Sequence, residues 1–189
     1  MISNADLEKI RCIEVDKFKA ETFSILYPKA KGMNGLEDAL ENLILQVEKA
    51  IERNTNIVIL SDREANQELA PIPALLACSY VNHQLNRLRK RSYFDIIIES
   101  AEPREPHHFA TLFGYGASAV NPYMVNEIIR MQVKEGFITD MDEQKAVDNF
   151  NYAIGKGLLK IMNKIGISTL QSYRGSQIFE IVGFNSEFV

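Results

Sequence analysis

The chain has 189 residues, 46% of them hydrophobic and 24% charged, a composition typical of a globular protein with one sizeable core. Its 21 basic and 25 acidic side chains give a net charge of -4, which disfavours a nucleic-acid partner because such partners require a basic excess on one face. Two cysteines, Cys12 and Cys78, are too few for a disulfide framework or a cysteine-held metal site, and the polar amino terminus and the absence of a long apolar run predict a cytoplasmic protein without a membrane segment.

The first half of the chain alternates short apolar runs with helical patterns. Strands are predicted over 22–27, 56–60 and 94–98, and the second and third of these are rich in β-branched residues. Between them, apolar residues recur at helical spacing over 36–51 and 72–88. This β-α-β-α-β order predicts a parallel sheet with crossover helices, either doubly wound or barrel-like.

The same rhythm continues through the middle of the chain. A helix is predicted over 107–113 with Gly114 as its stop, followed by a short strand over 117–120. The next helix is predicted to begin at Asn121 and Pro122, with asparagine as the cap and proline at the first helical position.

A long helical pattern over 146–165 fills the last part of the chain, interrupted by Gly155 and Gly157. A further strand over 167–169 and a last helix over 176–182 are candidate elements. No linker or low-complexity tract divides the chain, so we interpret residues 1–189 as a single α/β domain built of parallel βα units.

Two adjacent histidines stand out in the stretch 105–123, EPHHFATLFGYGASAVNPY. On a helix, His107 and His108 point about 100° apart, whereas helical zinc pairs use the i,i+4 spacing. His83 lies on another helix, so a metal site would need glutamates from elsewhere. The pattern favours structural hydrogen bonding or packing over a metal site.

Two glycine motifs resemble nucleotide-binding loops in their residue types but not in the context or spacing that such loops need. GYGASA, at 114–119, matches GxGxxA, but a helix precedes it and a strand follows, which reverses the order that a dinucleotide fingerprint needs. GKG, at 155–157, lacks the spacing of a P-loop. Neither motif predicts a phosphate site.

Polar residues follow the predicted strands, at the edge where parallel sheets bind ligands. The candidates there and in the adjoining loops are Ser61, Asp62, Arg63, Glu99, Ser100, Glu102, Arg104, Glu105, Asn121, Ser168 and Thr169. Arg63 and Arg104 could receive a phosphate or carboxylate, or could pair with the neighbouring carboxylates. The number of carboxylates nearby favours ion pairs, and no nucleophile stands beside a base.

Three blocks of the chain resemble the large chain of glutamate synthase, in that family's order. Residues 57–85, IVILSDREANQELAPIPALLACSYVNHQL, are similar to its Ser-Asp-Arg and Ile-Pro-Ala-Leu-Leu-Ala segment. Residues 96–123, IIIESAEPREPHHFATLFGYGASAVNPY, resemble its His-His-Phe-Ala, Gly-Tyr-Gly-Ala and Asn-Pro-Tyr run. Residues 146–184, AVDNFNYAIGKGLLKIMNKIGISTLQSYRGSQIFEIVGF, resemble its Lys-Gly-Leu-Leu-Lys, Gly-Ile-Ser-Thr and Gln-Ile-Phe-Glu block.

The resemblance implies the later part of the family's central domain, an α/β domain like a rudimentary TIM barrel. In the family this domain lies between a glutamine amidotransferase domain and a flavin domain, which holds FMN and an iron–sulfur cluster and makes glutamate from 2-oxoglutarate and ammonia. The resemblance implies no catalytic residue, cofactor or metal in this chain itself. It also implies that those two domains are its partners and that it walls the ammonia path between them.

Under this hypothesis, residues 105–123 are architecture near a domain interface, with His107 and His108 holding their helix against the strand ends. A fragment should expose apolar surface where its partner domains belong, so self-association would be unsurprising. A second hypothesis is a stand-alone βα protein that binds a phosphate-bearing ligand such as FMN. It would use Arg63, Arg104, Ser168 and Thr169 at the carboxyl ends of the strands. The parent family is an oxidoreductase, and under the first hypothesis this chain alone is predicted to be inactive.

Overall fold

The computed structural model describes residues 1–13, 15 and 17–179. In chain order, the elements are α1 (Asn4–Arg11), β1 (Ala20–Ser24), β2 (Leu26–Pro28), α2 (Gly32–Glu52), β3 (Ile57–Ser61), β4 (Leu69–Pro71), α3 (Ala74–Arg87), β5 (Asp95–Glu99), α4 (Pro106–Gly114), β6 (Ala117–Asn121), α5 (Tyr123–Lys134), α6 (Glu143–Ile165) and α7 (Leu170–Tyr173). None of the helices in the described ranges is long and apolar enough to span a bilayer.

The central sheet has four parallel strands in the order β1-β3-β5-β6, so the strands lie side by side in the order in which the chain makes them. A doubly wound sheet reverses its strand order, and this one does not. The predicted parallel α/β fold is confirmed, and the barrel-like alternative is the one observed. The sheet is open, because no described strand joins β6 to β1.

One face of the sheet packs beneath the crossover helices. Its side chains are Phe23, Val58, Leu60, Ile96 and Ile98, all buried in one cluster with apolar residues of α2, α3 and α4. These strands alternate between two covered faces, which explains why their sequences are almost continuously apolar.

The opposite face of the sheet is covered by α1. Leu7 packs there against Ile59 and Ile97, and all three side chains are buried. The backbone N–H of Ile2 donates to the carbonyl of Val120 at 3.0 Å, which anchors this segment to β6. In a closed barrel, the opposite strands would occupy this space. The sequence did not predict this helix.

The predicted strand over 22–27 is wrong in its extent, because it divides at Ile25. The N–H of Ile25 donates to Ser61, and its carbonyl accepts from Ile72, so this residue connects the central sheet to the next ladder. Strands β2 and β4 then form a separate antiparallel pair that the sequence did not predict.

Neither of the two elements predicted near the carboxyl end forms within the described residues. The candidate strand over 167–169 follows the left-handed turn at Gly166, which redirects the chain at the end of α6. There Thr169 instead caps α7, its hydroxyl accepting from the N–H of Ser172. The candidate helix over 176–182 is not helical at 176–179, and its remainder lies outside the described residues.

Two predicted helix boundaries also differ. Asn121 ends β6 and does not cap α5. Its amide donates instead to the carbonyl of Ile2 and to the side chain of Asn4. Helix α4 continues through Gly114, where a Cβ would approach the ring of Phe179 to 2.5 Å, so this glycine allows a close contact rather than a turn.

Candidate functional site

The carboxyl edge of the sheet contains a buried glutamate. Ser61, Glu99 and Asn121 lie in one row across β3, β5 and β6. The Glu99 side chain is 1% exposed and accepts hydrogen bonds from Ser61 Oγ at 2.5 Å, Arg11 Nη2 at 2.9 Å and Arg63 Nε at 2.8 Å. Two guanidinium groups therefore hold one buried carboxylate at the position where barrel-like sheets place their ligands.

The Glu99 carboxylate stays ionised despite its burial. Burial raises its pKa, but hydrogen bonds from Ser61, Arg11 and Arg63 together lower the pKa below its ordinary value. Arg11 also bonds Glu8, at 3.1 Å. The four charges are thus balanced within the group.

A second buried carboxylate lies beside the first. Asp62 accepts from Ser100 Oγ at 2.6 Å, from the Tyr123 hydroxyl at 2.8 Å and from the backbone N–H of Ala101. The Arg63 guanidinium stacks over the Tyr123 ring, 4.3 Å from its centroid, which joins the two groups. Burial and the hydrogen bond to Asp62 raise the pKa of Tyr123, so its hydroxyl acts as a donor. We call these two carboxylates and their partners the strand-end network.

Of the eleven residues that the sequence proposed for the strand ends and adjoining loops, the structure brings six together at the carboxyl edge: Ser61, Asp62, Arg63, Glu99, Ser100 and Asn121. The side chains of the other five lie elsewhere: Glu102 accepts from the N–H of Ala74, Arg104 and Glu105 precede α4, and Ser168 and Thr169 lie beyond α6. The two histidines, His107 and His108, lie in the first turn of α4.

The two histidines are exposed and bond locally. His108 accepts from the N–H of Arg104 at 3.2 Å, and its other ring nitrogen lies 3.4 Å from Glu105. The ring of His107 meets the edge of Phe179, with centroids 5.7 Å apart. These contacts organise the start of α4, and neither ring reaches the strand ends.

The sequence left open whether Arg63 and Arg104 bind an anion or pair with nearby carboxylates, and the structure gives a different answer for each. Arg63 forms an ion pair with Glu99, as the count of carboxylates favoured. Arg104 is exposed and makes no ion pair with any carboxylate in residues 1–13, 15 and 17–179. Within the same ranges, no group of three or more His, Cys, Asp or Glu is arranged to hold a metal ion.

Sequence reasoning missed two members of the strand-end network. Arg11 lies on a helix that was not predicted, 88 residues from Glu99 in the chain. Tyr123 follows Asn121 and Pro122 directly, so its place after a strand end was a usable signal.

We expect Tyr123→Phe to lower the free energy of unfolding by about 1–2 kcal/mol, because the buried Asp62 carboxylate loses one hydrogen-bond donor. The phenylalanine ring would still stack beneath Arg63. Urea unfolding measures this, with Tyr152→Phe as the control because Tyr152 is exposed. Equal effects of the two substitutions would contradict the role given to the Tyr123 hydroxyl.

Comparison with protein families gives one match across nearly the whole chain. The family model described as "Glutamate synthase central domain" matches residues 1–185. The large chain of NADPH glutamate synthase from Bacillus subtilis is 39% identical over 100% of this chain and 12% of its own length. The NADH glutamate synthase of Schizosaccharomyces pombe is 38% identical over 91% of this chain and 8% of its own.

A ferredoxin-dependent relative and a solved structure extend the comparison. Ferredoxin-dependent glutamate synthase 2 of Synechocystis is 34% identical over 96% of this chain and 12% of its own. A mutant flavocytochrome b2 with benzoylformate superposes with a TM-score of 0.55 at 12% identity, over 77% of this chain and 36% of its own. This likeness concerns the fold alone. The chain spans between 8% and 12% of the length of these three relatives.

Proposed function

This chain belongs to the glutamate synthase central domain family, and we propose that it joins and couples the catalytic domains of a glutamate synthase without performing chemistry of its own. The relatives are several times longer than this chain, which supports a role as one part of a larger enzyme. Its partners in this proposal are an amidotransferase domain and an FMN domain that also holds an iron–sulfur cluster, and the chain walls the ammonia path between them.

The observation that carries this proposal is the closed strand-end network. In a parallel barrel, a ligand is held at the carboxyl ends of the strands. In this chain, the Glu99 carboxylate there forms ion pairs with the guanidinium groups of Arg11 and Arg63. The Asp62 carboxylate accepts a hydrogen bond from the Tyr123 hydroxyl. A phosphate entering this edge would have to compete with the Glu99 carboxylate for Arg11 and Arg63. The geometry therefore supports a scaffold over a ligand site at this edge.

The first experiment titrates FMN into the 189-residue chain and follows the fluorescence of the flavin, because the chain has no tryptophan. We expect no saturable quenching at concentrations on the order of tens of micromolar. Saturable one-to-one quenching that is lost in Arg63→Gln would instead favour the second hypothesis, a phosphate-bearing ligand at the strand ends.

The coupling role is tested in the complete glutamate synthase chain that carries this domain. We expect Tyr123→Phe to increase the free ammonia released per glutamine hydrolysed, while synthesis from added ammonia is kept. Gly155→Ala is the control, because nothing lies within 4 Å of a Cβ at that position. An unchanged ratio of ammonia released to glutamine hydrolysed would contradict coupling through this domain.

A further inference from the structure

A polar cavity of about 560 Å³ opens at the amino-terminal edge of the sheet, at the end opposite to the strand-end network. It lies between the last turns of α3, the turn before β5, the turn before β6, and α7. Its lining is rich in guanidinium and amide groups, and these are Arg89, Arg91, Arg174, Asn82, Asn86 and Gln171. No carboxylate of the described part of the chain lines it.

The guanidinium of Arg91 is fixed in place by neutral acceptors. Its Nε donates to Asn82 Oδ1 at 2.6 Å, its Nη1 to the carbonyl of Phe94 at 2.7 Å and its Nη2 to the carbonyl of Gly116 at 3.0 Å. These neutral acceptors orient the group, and its positive charge is offset only in part, by the nearby Asp95 carboxylate. Burial, followed by the nearby charge of Arg174, lowers the pKa of Arg91, as expected where positive charge is in excess.

The carboxylate of Asp95 is the one in the described ranges that is set against the charge of the three arginines, and it lies outside the cavity. Arg174 forms an ion pair with Asp95 at 2.7 Å. Asp95 lines the adjacent cavity on the far side of Arg91 and Arg174. Three guanidinium groups less this one carboxylate give the cavity an excess charge of two.

Arg89 occupies a position that usually suits glycine. Helix α3 ends with the N–H of Lys90 bonded to the carbonyl of Leu85, and Arg89 between them has a φ of 58°. A residue with a side chain adopts this left-handed conformation less readily than glycine does. Among the described residues, Arg89 has no carboxylate within ion-pair distance. Arg89 is exposed on the rim of the cavity, where its guanidinium can turn toward an anion held by Arg91 and Arg174.

We propose that this cavity binds the phosphate group of a small anionic molecule. A phosphate dianion matches the excess charge of two, and its several oxygens match guanidinium and amide donors that come from separate elements. The cavity is open and leaves room beside a phosphate for the rest of a phosphate-bearing molecule. The Asp95 carboxylate would repel an anion from the neighbouring cavity, which assigns the phosphate to this side of Arg91 and Arg174. This inference does not depend on the proposed coupling function.

Inorganic phosphate is titrated into the whole 189-residue chain by calorimetry at constant ionic strength set with chloride. We expect saturable one-to-one binding that Arg89→Gln and Arg174→Gln each weaken by about tenfold or more. Arg89→Gln is the decisive variant, because Arg174 also pairs with Asp95 and its loss could disturb folding, which circular dichroism and the melting temperature would reveal.

The matched control is Arg104→Gln, at the other end of the sheet, which should leave phosphate binding unchanged because Arg104 is exposed. Arg63→Gln tests the strand ends as the alternative site. Glutarate at the same ionic strength should bind about tenfold more weakly than phosphate if the site prefers tetrahedral dianions. Absence of saturable phosphate binding, equal binding by Arg89→Gln, or tighter binding of glutarate would overturn the proposal. Binding lost only in Arg63→Gln would move the phosphate to the strand ends and count against the proposed function as well.

Discussion

Replacing Glu99 with glutamine lowers the free energy of unfolding by about 2–4 kcal/mol, the largest single effect expected in the strand-end network. The glutamine leaves Arg11 and Arg63 facing each other without their shared carboxylate, while Ser61 loses a charged acceptor. Removing one partner of a fully buried pair costs more, but the arginine side chains are 25% and 45% exposed, so water compensates part of the loss.

This effect should depend on pH in one direction. The pKa of Glu99 is lowered by folding, so its stabilising contribution is complete above its unfolded pKa of about 4.3 and disappears as the pH falls through the lower folded value. The difference between the native chain and Glu99→Gln should therefore be largest near neutral pH and shrink below a pH of about 4. Urea unfolding across that range measures it, with the exposed Glu105→Gln as control. A difference that stays constant into acid would show that the carboxylate charge is not its source.

Adding a single methyl group at Gly157 destabilises the chain by about 1–3 kcal/mol, although alanine is the better helix former. A Cβ at this position would lie 2.6 Å from Cγ and 2.7 Å from Cβ of Pro106. The proline ring is rigid and begins α4, so it cannot move aside without shifting that helix. Gly157 is therefore a place where α4 and α6 approach each other closely.

The matched control lies two residues earlier on the same helix. At Gly155 nothing lies within 4 Å of an added Cβ, so Gly155→Ala should stabilise the chain by about 0.5–1 kcal/mol through helix propensity alone. Thermal unfolding of both variants separates packing from propensity. If both substitutions changed stability in the same direction, the close contact between α4 and α6 would not be limiting.

The sheet strands that the sequence predicted well are those whose burial is uniform. The β-branched runs over 56–60 and 94–98 are covered on both faces and match β3 and β5 within one residue. The run over 22–27 also looks continuous, but it passes from one sheet to another at Ile25. An apolar pattern predicts that a residue is buried, but it does not predict which strand its backbone bonds. The break at Ile25 could therefore not be predicted from the sequence.

The site was predicted where a local rule was enough. Asp62 and Glu99 follow buried strands, and parallel strands bring their carboxyl ends to one edge. Arg11 could not be found in this way, because its contact with Glu99 spans 88 residues and its helix has a single buried residue, Leu7. Thr169 was misplaced because it was assigned to a strand that does not form.

The amino-terminal helix α1 covers a face of the open sheet that would otherwise be exposed. Leu7 of α1 occupies the space that side chains of the remaining strands would fill inside a closed barrel. Strands added beyond β6 would collide with the segment around Ile2, which already bonds Val120. A closed barrel of this fold would require that α1 leave this face, which would uncover Ile59 and Ile97. The open four-stranded sheet is thus covered on both faces, by the crossover helices on one and by α1 on the other.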